Sequence, residues 1–194
     1  MKLRTLMPFL AIFVLVLGTT ATADLINSAH NFSTVGWAQG EICKPCHTPH
    51  NSVQNDPYAM VNHILWNHEI TTATFTMFDG STQQITTLSK LCLSCHDGTV
   101  ALDSYGGNSG SIFINPTKSV GTDLQDDHPV AVAYQEQWHA PASDLQIAVL
   151  WDNGGTLYIE CSSCHEPHNR GRQNFMLRAS NASSALCFDC HRGK

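Results

Sequence analysis

Hydrophobic and polar positions along this 194-residue chain keep no sustained period. The longest apolar run, Leu6 to Leu17, follows Lys2 and Arg4 and precedes the small residues Ala21-Thr22-Ala23. Charged, apolar and small regions in that order predict a signal peptide over 1–23, cleaved before Asp24. The run holds about twelve residues, short of the roughly 20 that a spanning helix needs, and no run as long follows it. The mature chain is therefore expected to be secreted across the inner membrane, with no transmembrane segment. Further on, "ATFTMF" (Ala73 to Phe78) and "TLYI" (Thr156 to Ile159) predict short strands. Ser104 to Gly121 is rich in Gly, Ser and Asn and predicts a loop or linker. The expected fold is mostly irregular, with several short α-helices and at most a small β-hairpin.

Composition says what fills such a fold. Only 13% of residues are charged, against a usual figure of about 25%. Set against that deficit are eight cysteines and eleven histidines. Loss of Lys2 and Arg4 with the leader would take the formal charge from -6 to -8, which argues against nucleic acid as a partner.

All the cysteines fall into pairs: Cys43-Lys-Pro-Cys46-His47, Cys92-Leu-Ser-Cys95-His96, Cys161-Ser-Ser-Cys164-His165 and Cys187-Phe-Asp-Cys190-His191. A histidine follows each one. Cys-x-x-Cys-His is the attachment signature of c-type haem. Two thiols three positions apart share one side of a helical turn, where both can add to the vinyl groups along one porphyrin edge, and the next imidazole turns to the iron. Disulfides or zinc knuckles would use the cysteines without requiring the histidine. The expectation is four covalent haem c groups with His47, His96, His165 and His191 as proximal ligands. In that case about 43 residues serve each cofactor, too few for separate pockets, so the porphyrins would supply much of the core and the apo chain would be unfolded.

An internal repeat organises the motifs. Cys43 to Asn51 and Cys161 to Asn169 share Cys-x-x-Cys-His-x-Pro-His-Asn, while Ser89 to Gly98 and Ser184 to Gly193 share Ser-x-Leu-Cys-x-x-Cys-His-x-Gly. The chain reads as two two-haem units, 24–103 and 128–194, joined by a linker over 104–127.

Seven histidines remain for the distal positions. Three residues span at most roughly 10 Å, so His50 cannot pass round the haem that His47 holds and is expected on a different iron; His168 stands in the same relation to His165. Each short tether, restrained by Pro49 or Pro167, would hold two haems almost in contact. His30 and His128 occupy corresponding places upstream and are the other two distal candidates, with His68 as a rival for either. His63 and His139 read as packed or surface residues. Met60, Met77 and Met176 are alternative ligands, but the surplus of histidine predicts bis-histidine irons of low potential. Trp37, Trp66, Trp138 and Trp151 are expected to pack on haem faces. Asp123, Asp126 and Asp127 fit no defined calcium loop and read as a solvated turn.

Through "CHTPHN", "CHEPHN", "LCLSCHDGTVALD" and "LCFDCHRGK" the chain resembles the doubled CXXCH family of multihaem cytochromes. More narrowly, it is similar to the tetrahaem, cytochrome E-like outer-surface cytochromes of metal-reducing bacteria. That resemblance implies polymerisation into extracellular filaments with a continuous haem row and an axial histidine crossing between subunits, a role that would suit His30. The expected activity is electron conduction with other cytochromes as donor and acceptor, and no substrate transformed. A monomeric periplasmic shuttle is the alternative, and a multihaem reductase with an open iron site is a further one.

Overall fold

The computed structural model describes residues 24–52, 65–171 and 173–192. The expected leader lies outside them, as do Met60 and His63.

Three of the four cysteine pairs sit on short helices: α1 (Ser89–His96), α2 (Cys161–Cys164) and α3 (Ala185–Cys190). The pair at Cys43 and Cys46 lies in consecutive turns, where the His47 amide donates to the Cys43 carbonyl at 2.8 Å. Spacing of three places both thiols of a pair on one side of the turn. Helix α1 stops where the Asp97 carboxylate takes the Thr99 amide at 2.7 Å and Gly98 adopts φ +77°, the left-handed exit that glycine enters without strain.

The β content exceeds the single hairpin expected, and that expectation is corrected here. Strands β1 (Phe75–Thr76) and β2 (Thr82–Gln83) form one antiparallel pair. Strands β3 (Val132–Ala133), β4 (Trp151–Asn153) and β5 (Thr156–Ile159) form a second sheet in the order β3-β5-β4. The β4–β5 turn is Gly154-Gly155, with φ of +65° and +89°, as a two-residue type I′ hairpin requires. Strand β3 is two residues long and leaves no alternation to read.

Apolar packing is sparse. Phe75, Met77, Ile85, Leu93 and Leu124 form one buried cluster, and Trp66 with Leu91 forms another, against which Cys46, Ile70 and Leu88 pack. Leu124 comes from the stretch after the Gly-rich loop, which pairs with β1: Thr76 N–H donates to the Thr122 carbonyl at 2.9 Å and Leu124 N–H to the Thr76 carbonyl at 2.8 Å. Cores this small seldom hold a chain of this length unaided.

Glu160 joins the halves. Its buried carboxylate accepts from the Ser89 amide at 2.8 Å, the Thr87 hydroxyl at 3.0 Å and the Ser89 hydroxyl. The Cys161 amide returns a bond to Ser89 Oγ at 3.0 Å. Helix α2 is thereby fixed against the start of α1.

Candidate haem-attachment site

The cysteine pairs lie near one another. Burial pushes the Cys46 thiol up to about 11 and the Cys95 thiol up to about 12, and Cys46 is near enough to Cys95 to add to the second shift. The Cys92 thiol donates to Cys161, which raises Cys92 and lowers Cys161. Burial raises Cys164, with Cys190 and Cys187 adding to it. The second and third pairs thus meet directly through Cys92 and Cys161, while the first lies close enough to the second, and the fourth to the third, for their thiols to influence one another. All eight cysteines are free. Among the described residues, no group of three or more His, Cys, Asp or Glu could hold a metal ion. A haem iron requires only two axial side chains.

Three pairs of imidazoles lie close together. The ring centroids of His47 and His168 are 6.1 Å apart with planes 19° apart, those of His30 and His96 are 6.1 Å apart, and those of His128 and His191 are 6.3 Å apart. Two imidazoles on opposite faces of one metal, with bonds of about 2.0 Å and ring centres about 1.1 Å further on, have centroids roughly 6 Å apart. Each pair joins a histidine of a Cys-x-x-Cys-His segment to one of the distal candidates.

Hydrogen bonds hold several rings in a ligating tautomer. His165 Nδ1 donates to the Phe175 carbonyl at 2.9 Å and His128 Nδ1 to the Pro129 carbonyl at 3.1 Å. Rings of His30 and His96 bond the carbonyls of Pro167 and Lys118. Burial lowers the pKa of both, with His96 adding to the effect on His30, and so favours the neutral imidazole that can bind metal. His168 Nδ1 instead meets the Glu166 carboxylate at 3.3 Å.

The remaining histidines separate clearly. His68 is 1% exposed; its Nδ1 lies 2.7 Å from the Glu69 carbonyl, and its Nε2 lies 3.0 Å from the Ala101 carbonyl and 3.5 Å from Cys95 Sγ, and among the described residues it pairs with no other imidazole. His50 and His165 are both exposed, and among the described residues neither ring has an aromatic partner. His139, expected to be a bland residue, lies 5.1 Å from His191 and stacks on Tyr134 at 5.0 Å. The segment carrying His30 is tied down: Asp24 N–H donates to the His168 carbonyl at 3.0 Å, and Asn169 Nδ2 to the Asp24 carbonyl at 3.2 Å.

Residues 158–194 match the family described as the doubled CXXCH motif. That motif denotes covalently attached c-type haem and an electron-transfer role. No curated protein matches the chain. Among the described residues no helix is long and apolar enough to cross a membrane.

The doubled CXXCH segments fit the group they imply. Beyond the paired rings, the buried indole N–H groups of Trp66 and Trp151 have no hydrogen-bond partner, and Trp66 stands edge-on to His47 at 6.1 Å. Buried donors without partners are rare in a finished fold, and acidic groups of a bound haem would accept from them. Trp138, by contrast, is 63% exposed, and Met77 is enclosed in the larger apolar cluster.

Proposed function

We propose that the chain is a tetrahaem c-type cytochrome that conducts electrons along closely spaced bis-histidine irons. The observation carrying this reading is the set of three imidazole pairs at 6.1 to 6.3 Å, each the separation that one axially ligated iron requires. Bound haem supplies one-electron chemistry at near-constant geometry. The residues do the rest. Cys43 and Cys46, Cys92 and Cys95, Cys161 and Cys164, and Cys187 and Cys190 would each fix one of four groups. His47 with His168, His96 with His30 and His191 with His128 would take three irons, and His165 would take the fourth.

His50 is the histidine left for His165. Both are exposed, which supports completion of that iron between two copies of the chain, as in the filament cytochromes it resembles. On this reading the crossing histidine is His50, while His30 serves its own chain. The product would act outside the inner membrane, at the cell surface as a filament or in the periplasm as a shuttle. Haem-loaded protein examined by electron microscopy and by electron paramagnetic resonance (EPR) tests both parts: ordered polymers with only low-spin ferric irons support the proposal, whereas a permanently five-coordinate iron would support a reductase.

A further inference from the structure

Glu166 occupies the variable position of the second Cys-x-x-Cys-His-x-Pro-His-Asn segment, where the first has Thr48. The two are connected differently. Thr48 Oγ1 donates to the His50 carbonyl at 2.7 Å, a backbone contact. Glu166 is 6% exposed, and its Oε1 lies 3.3 Å from both Nδ1 and the backbone nitrogen of His168. Arg170 grips the carboxylate from the other side: its amide donates to Oε2 at 2.7 Å, Nη2 to Oε1 at 3.2 Å and Nε to Oε2 at 3.2 Å. The rings of His128 and His165 donate instead to neutral carbonyls.

We propose that Glu166 is a positioning residue that fixes the His168 tautomer and, through its charge, lowers the potential of the iron that His168 shares with His47. An anionic acceptor on Nδ1–H makes the imidazole a stronger donor and favours ferric over ferrous iron, whereas a carbonyl does so less. Arg170 moderates the effect by neutralising part of the charge. The inference rests on the proposed ligation of iron by His168. It places a step in redox energy where the second repeat's tether meets the first haem.

Spectroelectrochemical titration of the haem-loaded full chain, with EPR of the oxidised form, tests the inference on two variants. Glu166→Gln keeps size and an acceptor but removes charge: one midpoint potential should move positive, with the others and the low-spin count unchanged. Arg170→Gln leaves the carboxylate unneutralised and should move the same potential negative. A purely structural brace would not give opposite signs. Shifts in the same direction, or no shift in either variant, would overturn the proposal. Should Glu166→Gln fail to retain haem, Arg170→Gln decides alone, with a negative shift supporting and a null or positive shift overturning it. His168→Ala checks the underlying ligation separately: if every iron stays low-spin, His168 is no ligand and both the pairing and this inference fall.

Discussion

His47 and His168 come from opposite halves of the chain, and their ring centroids lie 6.1 Å apart with planes 19° apart. His165 stands three positions before His168, so the second repeat reaches back to the first attachment segment through a tether of one turn. A shared iron there would bind the halves together more firmly than the small apolar clusters can.

His30 and His68 should respond differently to removal. His30→Ala takes the partner from His96 and should convert one iron to high spin, read by EPR. His68→Ala removes a buried ring that lies against two backbone carbonyls and donates to one of them, and should cost about 1–3 kcal/mol of stability with the spin states unchanged. A high-spin signal in His68→Ala would reverse the assignment.

His128 and His139 both approach His191, at 6.3 and 5.1 Å. Only the longer separation leaves room for an intervening iron. His128→Ala should therefore give a high-spin iron while His139→Ala keeps all irons low-spin; equal effects would contradict the distinction.

Glu160 supports a pH prediction. Burial raises its pKa above the ordinary carboxylate value, partly offset by donors from Ser89 and Thr87. A raised folded value means the advantage over Glu160→Gln is fully present below pH ~4.5 and is lost as pH rises through the folded value. Chemical denaturation of both proteins across that range checks the sign, and an advantage that grows with pH would be contrary. Glu160→Ala should cost about 1–3 kcal/mol throughout, because it strands buried donors.

Much of the attachment chemistry was legible because it is local. Cys-x-x-Cys-His is read within five residues, and the strand at Thr156–Ile159 within four. The partners were harder, since His168 meeting His47 and Glu160 meeting Ser89 depend on contacts distant in sequence. His68 and His30 were indistinguishable by spacing; His30 lies beside the His96 ring, whereas His68 is buried against backbone carbonyls. His139 and Glu166 carried weaker signals, although the Thr48-for-Glu166 difference between repeats marks the one place where equivalent tethers diverge in charge.

His50→Ala should leave the three intrachain imidazole pairs in place and reduce assembly. Mass photometry of the haem-loaded variant would show single copies where the parent forms polymers, together with one high-spin iron. Polymers of undiminished length would remove His50 from the interface.

The most direct measurement is an experimental structure of the haem-loaded protein at assembly concentration, read at one iron. The nitrogens of His47 and His168 should both lie about 2 Å from the iron of the haem attached at Cys43 and Cys46, on its opposite faces. If His168 instead points to solvent, or binds the iron attached at Cys161 and Cys164, the tethered haem row has no basis.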